Sequence, residues 1–240
     1  MPDKAYENHM LMHGLLTVAA FHYVHAHSAT SDPATLHKYQ TRALHHQALG
    51  LQLFRHQLQS PGEDQPHENL LMFAATVGIL TFADANSTQQ GMTYDDALAL
   101  LAVIRGKQAL WRAGSGVAPD SDIAPAFYDP PPPECIADLS EATHALDELH
   151  KVTKDNIRGD AIALLKGATE SRTSSEFRML GTWPAGMSDD FLQLLKARDR
   201  VGLQVFEHYC TILDSKRDLW WIGDFGLKLR SAIRGAMVPE

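Results

Sequence analysis

Cysteine is nearly absent from this 240-residue chain, which holds only Cys135 and Cys210. The two form no CxxC and stand far apart in sequence. That excludes a disulfide framework and a thiolate zinc site, and predicts two buried thiols in a reducing compartment. Positive charge is also scarce. There are 21 Lys and Arg against 29 Asp and Glu, a net charge of −8, and no Lys/Arg run exceeds two residues. An acidic surface repels phosphate backbones, so direct contact with nucleic acid is not expected. Long hydrophobic runs are missing as well. The most apolar segment, Leu70 to Ala83, is shorter than the roughly 20 residues that cross a bilayer, so no membrane span is expected. The N-terminus, Met1 to Ala5, is polar. The apolar stretch Leu15 to Phe21 is soon followed by His22, Tyr23 and His25, so no secretory signal is read. The expectation is a soluble intracellular protein.

Strand patterns are the last absence. No segment alternates apolar and polar residues between turn signals, and the dominant period is helical. Apolar residues make up 45% and charged residues 21% of the chain, ordinary proportions for a globular fold with a sizeable core. In the first segment Leu11, Leu15, Val18 and His22 share a face. Asp32 then caps a helix that opens on Pro33, where a missing N–H does no harm. That helix turns Leu36, Tyr39, Ala43, Leu51, Phe54 and Leu58 inward, and Ser60-Pro61-Gly62 ends it. The run Leu70 to Ala83 is apolar on every face, which places it at the centre of the fold, surrounded by other helices. Thr93 caps a fourth helix with Asp95 and Asp96 in its first turn, where the helix dipole favours negative charge. Its buried stripe is Ala97, Leu101, Ile104 and Trp111, and Gly114-Ser115-Gly116 stops it.

Residues 117–134 are irregular and include the stiff run Pro130 to Pro133. Neither half looks complete alone, so this is read as a connection within one domain spanning 1–240. A fifth helix carries Leu139, Ala142, Leu146 and Leu149. A sixth carries Ile157, Ala161, Leu164, Leu165 and Ala168. Ser171 to Gly186 is mixed. Ser188 caps a long seventh helix running through Phe191, Leu195, Val201, Val205, Phe206, Tyr209 and Leu213. The last holds Trp220, Trp221, Phe225, Leu229 and Ile233. The expected fold is therefore all-α, a single-domain bundle of about eight helices around a central apolar one.

Catalytic signatures fail in turn. Gly114-Ser115-Gly116 lacks the strand and the spacing of a nucleophile elbow. Arg105-Gly106-Lys107 lacks the upstream glycine of a phosphate loop, because position 101 is Leu101. Of the thirteen histidines, His9 and His13 are four apart on one helix face, His22, His25 and His27 cluster, and His45-His46 are adjacent. Zinc needs three or four convergent ligands, and neither HExxH nor a clear further ligand occurs. The histidines are read as surface or hydrogen-bonded residues. No metal, cofactor or enzymatic activity is expected, and the aromatic residues at helical spacing read first as core.

Several phrases, taken in order, add to this reading. His9 to His22 (His9-Met10-Leu11-Met12-His13-Gly14-Leu15-Leu16), Tyr39 to Phe54, Leu100 to Trp111, Trp183-Pro184 with Asp190-Phe191, His208-Tyr209, and Trp220-Trp221-Ile222-Gly223 together resemble the C-terminal regulatory domain of fungal zinc binuclear cluster transcription factors. The resemblance is to the type found in sterol uptake control proteins, and it covers nearly the whole chain. The six-cysteine zinc cluster of those factors is absent from this sequence.

The resemblance implies an all-helical ligand-binding domain, often a homodimer, that holds an apolar small molecule such as the sterol ergosterol. Binding would control passage from cytoplasm to nucleus and activation of transcription. On that footing Met72, Phe73, Val77, Phe206, Tyr209, Cys210 and Trp221 are expected to line the ligand site. Tyr209 or His208 would meet a sterol hydroxyl, and Gly78 and Gly223 would allow close backbone approach. Two alternatives stand beside it. One is a dimerisation or coactivator-interaction module with no small-molecule ligand. The other is an enzyme of an unfamiliar helical class, supported only by the histidine-rich first helices.

Overall fold

A computed structural model describes residues 2–59, 67–87, 91–113, 138–170 and 176–237. Ser60-Pro61-Gly62, Gly114-Ser115-Gly116, the proline-rich connection 117–134 and Cys135 lie outside the described residues, as do the side chains of Trp111 and Phe177. Within the described residues the protein is all-helical, with eleven helices and no strand. They are α1 (Pro2–Glu7), α2 (His9–His27), α3 (Pro33–Gln59), α4 (His67–Ser87), α5 (Tyr94–Ala113), α6 (Ser140–Val152), α7 (Asn156–Glu170), α8 (Glu176–Gly186), α9 (Asp189–Lys196), α10 (Arg200–Asp214) and α11 (Phe225–Met237).

The helix starts follow local chemistry. Asn8 accepts a hydrogen bond from the Leu11 N–H at 3.1 Å, and Asp32 accepts from the Thr35 N–H at 2.9 Å. Thr93 and Asp96 cap each other reciprocally, the Asp96 N–H donating to Thr93 Oγ1 and the Thr93 N–H to Asp96 Oδ2. Ser188 receives the Phe191 N–H at 3.1 Å. Each cap satisfies a backbone donor that has no partner within its own first turn.

The count exceeds the expected eight for three reasons. A short α1 precedes the first long helix, and the mixed segment before Gly186 contains α8. The expected long seventh helix is broken between α9 and α10. There Arg198 takes a left-handed φ of 55°, and Asp199 starts a new helix by accepting the Gly202 N–H at 2.8 Å. The apolar stripe Phe191, Leu195, Val205, Leu213 runs across this break, which hid it from a reading by period. The last helix begins later than expected, at Phe225. Trp220 and Trp221 sit in a preceding turn that is closed by Gly223 at φ 47°.

Packing follows three apolar clusters. The first joins Ala5, Met10 and Leu11 to Leu70–Phe73 of α4. The second holds Ala20 and Phe21 of α2, Ala43 of α3 and Leu80 of α4, with Val18, Tyr39 and Trp220 against it. The third and largest gathers Phe82 with residues of α5 to α11, among them Trp183, Phe191, Phe206, Tyr209, Ile222 and Phe225. One helix, α4, contributes to all three. It contacts α2 on one side and α5 and α11 on the other. Its segment Glu68–Ala85 is, by length and composition alone, long and apolar enough to cross a membrane, and 56% of that window is buried inside the protein. The sequence run Leu70 to Ala83 underestimated this helix by omitting its polar ends.

Some inward assignments fail. Leu58 and Ile157 are exposed, and so is His22. In α3 only Ala43 and Gly50 are fully buried, because that helix packs chiefly on α2.

Candidate functional site

Two of the quoted phrases meet in one buried node. Pro184 lies inside α8, and proline has no N–H to give the carbonyl four residues earlier. That carbonyl belongs to Leu180, and the Tyr209 hydroxyl of α10 donates to it at 2.6 Å. The neighbouring Trp183 donates its indole N–H to Ala161 O of α7 at 3.0 Å. Its ring lies 5.0 Å from Tyr209, 5.7 Å from Phe206 and 6.2 Å from Phe191. Trp183, Phe191, Phe206 and Tyr209 are all fully buried. Burial pushes the Tyr209 hydroxyl and the Cys210 thiol above their ordinary pKa values. Cys210 Sγ faces Phe206 O at 3.7 Å. Tyr209 therefore has a backbone partner for its proton. His208 beside it is half-buried, and desolvation lowers its pKa against the opposing pull of Glu207.

The other expected lining residues lie elsewhere. Met72 and Phe73 belong to the first cluster, with Val77 against it. The Phe73 ring sits 5.2 Å from Phe54 and fills a notch between two glycines. A Cβ on Gly14 would meet it at 3.2 Å, and one on Gly50 at 2.8 Å. Trp221 lies with the third cluster, 5.6 Å from Phe82, which also meets Phe225 edge-on at 5.2 Å. The structure thus does not gather the eight expected residues into one place. It brings Phe206, Tyr209, Cys210 and Trp221 into the third cluster, and Met72, Phe73 and Val77 into the first. The geometry of α4 explains the split. Phe73 and Phe82 are nine residues apart, about 13.5 Å along the axis and half a turn around it.

The stretch of α4 between those two positions is the candidate apolar site. Val77 and Ile79 are half-buried on α4. Leu80 packs with Phe21 and Trp220, and Trp220 is bracketed by His22 at 5.3 Å and His25 at 6.0 Å. Phe82 and Trp220 belong to the aromatics that could line a ligand cavity but read first as core from sequence, and Leu80 carries no sequence signal of a site. The available signal was the half-turn offset along the apolar run, which sets Phe73 and Phe82 on opposite sides of α4.

The first two long helices carry a separate feature. His13 of α2 and His46 of α3 approach with their Nδ1 atoms 2.9 Å apart and ring centroids 5.2 Å apart. Burial, then the neighbouring imidazoles of His46, His45 and His9, hold His13 below its ordinary pKa. Burial, then His45 and Arg42, do the same for His46. Among the described residues no group of three or more His, Cys, Asp or Glu side chains is placed to hold a metal.

Comparison with protein-family models, with curated proteins and with solved structures finds no match to this chain.

Proposed function

We propose that this chain is a ligand-sensing regulatory domain of the fungal zinc-cluster transcription factor type, with α4 as the central helix of its bundle. Its ligand is an apolar small molecule of sterol size, ergosterol being the first to test. The observation that carries this reading is the position of α4 as the shared element of three apolar clusters. A rigid apolar molecule lodged against α4 between Phe73 and Phe82 would alter how the α2–α3 pair sits on the rest of the protein. That is the kind of coupling a sensor needs, because a ligand acts only through its differential contacts with two arrangements. On this reading the partly exposed Val77 and Trp220 would meet it. Their partial exposure marks apolar surface that a ligand would cover, at roughly 25 cal/mol per Å² removed from water. Such a domain would report to a DNA-binding partner or segment, in cytoplasm and nucleus, and would not touch DNA itself.

The test uses dehydroergosterol, whose absorption overlaps tryptophan emission. The expected result is saturable energy transfer from the protein, competed by ergosterol and reduced in the W220F/W221F variant. Absence of saturable transfer, together with no rise in melting temperature with ergosterol, overturns the reading.

A further inference from the structure

Two imidazoles bridge α2 and α3 in a way that only certain protonation states allow. The Nδ1 atoms of His13 and His46 stand 2.9 Å apart and their ring centroids 5.2 Å apart, the spacing of one ring donating to the other. One Nδ1 therefore carries a proton and the other offers its lone pair, the accepting ring keeping its own proton on Nε2. Both side chains are half-buried, so water reaches the pair. Together α2 and α3 hold nine histidines and no aspartate or glutamate, so neither helix supplies a carboxylate to neutralise an imidazolium. The other groups that act on the pair are His45, His9 one turn before His13, and Arg42 one turn before His46, all of them basic. Beside Gly14, α4 presents Phe73 and Thr76, which do not titrate. Its carboxylates Glu68 and Asp84 stand toward its two ends, with Glu68 on Lys4 of α1. Neither of them, nor Glu7 of α1, is among the groups that act on the imidazoles.

We propose that the His13–His46 pair is an acid-operated latch between α2 and α3, closed while it carries at most one extra proton and opened by the second. The first proton enters at the free Nε2 of the donating ring. That ring becomes an imidazolium whose Nδ1–H still points at a neutral acceptor, and a charge-assisted bond of this kind is stronger than a neutral one. The second proton has one place to go, the Nδ1 lone pair that accepts the bond. Both Nδ1 atoms then carry protons, two positive charges face each other, and the bond is lost. The surroundings act in the same direction. Burial and the neighbouring imidazoles hold His13 below its ordinary pKa, and burial, His45 and Arg42 do so for His46. An imidazole whose folded pKa is depressed stabilises the fold above its unfolded value of about 6.5, and that contribution is lost as pH falls below it toward the folded value. Opening has a local consequence. Gly14 follows His13 directly and Gly50 lies one turn after His46, and these two glycines form the notch for Phe73. Toward the α2–α3 turn, Tyr23 lies 4.0 Å from Tyr39, and Ala20 and Phe21 pack with Ala43. The latch end therefore separates while the turn end stays closed, and Phe73 loses its seat.

The test is hydrogen exchange of the full chain, read by mass spectrometry from about pH 7.5 down to about pH 4.5, a span that brackets the ordinary imidazole value. Each rate is divided by the intrinsic rate at that pH. Wild type is compared with H13N and H46N, and with H56N, on the exposed side of α3, as control. Asparagine keeps an amide group at the place of Nδ1 but takes up no proton, so either variant leaves a bond to the remaining ring in acid. In wild type and H56N, peptides from 9–16 and 44–54 are expected to exchange at least about fivefold faster in acid, the scale of one net hydrogen bond lost. Peptides from α10 do not change, and in H13N and H46N the acid increase is absent. Imidazole nitrogen-15 spectra of wild type add a reading that needs no variant. His13 and His46 are expected to titrate in two coupled steps, the lower one coinciding with the rise in exchange. The proposal is overturned by no acid increase in wild type, by an equal increase in whichever of H13N and H46N folds, or by an increase shared with α10. Independent single-step titration of the two rings overturns it as well.

Discussion

The pairing of Tyr209 with Pro184 makes a prediction that sequence spacing alone would not suggest. Inside an ordinary helix the Leu180 carbonyl would accept from the N–H of residue 184. Proline removes that donor, and Tyr209 supplies a replacement from α10 at 2.6 Å. The site is fully buried, so no water substitutes when the hydroxyl is deleted. Y209F keeps the ring stacked on Trp183 and removes only the donor. It is expected to destabilise the fold by about 1–3 kcal/mol, the cost of a buried polar group left without a partner. In a P184A background the new N–H of residue 184 reaches the same carbonyl, and Y209F becomes cheaper there by about 1 kcal/mol, a coupling normal for groups that share one partner. Urea denaturation of the four proteins of this cycle gives the coupling directly, with unchanged m-values as the control. Equal costs of Y209F in both backgrounds would show that Tyr209 matters through packing alone and would refute the reasoning.

Two further predictions rest on other contacts. G50A is expected to lower the melting temperature, because its Cβ would stand 2.8 Å from the buried Phe73 ring and overpacking costs about 1–3 kcal/mol, more than the helix propensity gained. G167A, within α7 and with nothing within 4 Å of its Cβ, is expected to raise stability by about 0.5–1 kcal/mol; calorimetric melts showing the same sign for both would contradict the notch. Asp199 is held below its ordinary pKa chiefly by Arg158, and it also caps α10. A depressed carboxyl stabilises above its unfolded pKa of about 3.9 and loses that contribution as pH falls through the lower folded value. D199N keeps the cap but flattens this acid limb, while D199A loses the cap as well; acid titrations followed by circular dichroism distinguish them.

Much of the fold was legible because caps and periods are local. Asp32-Pro33, Thr93 with Asp96 and Ser188 start helices in the structure as their chemistry requires. The break at Arg198 was not legible, because arginine seldom takes a left-handed conformation and the apolar stripe does not pause there. The late start of α11 has the same origin: Trp220 and Trp221 keep a helical-looking spacing through a turn that Gly223 closes. Sites were harder still. Phe73 and Phe206 both read as large buried aromatics, and no one-dimensional pattern says that they serve different clusters. The His13–His46 approach joins residues on two helices, and only the register of α2 against α3, set in part by Gly50 over Phe73, brings them together.

That register also couples the α2–α3 pair to α4. The notch that receives Phe73 is built by Gly14 and Gly50, next to His13 in sequence and in space: a Cβ on Gly50 would lie 3.4 Å from that of His13. Whatever shifts α2 against α3 therefore moves the seat of Phe73 on α4. Interiors are close-packed and yield in discrete steps rather than continuously, so a change in that seat is passed to α4 through Phe73. A ligand against α4 would then act on the same packing that seats Phe73, so a variant that disturbs the seat changes the affinity for the ligand. Measuring the dehydroergosterol midpoint in wild type and in G50A, whose Cβ would stand 2.8 Å from the Phe73 ring, reads that coupling. A weaker midpoint in G50A is the expected result, and identical midpoints would show that the seat of Phe73 and the ligand site are independent.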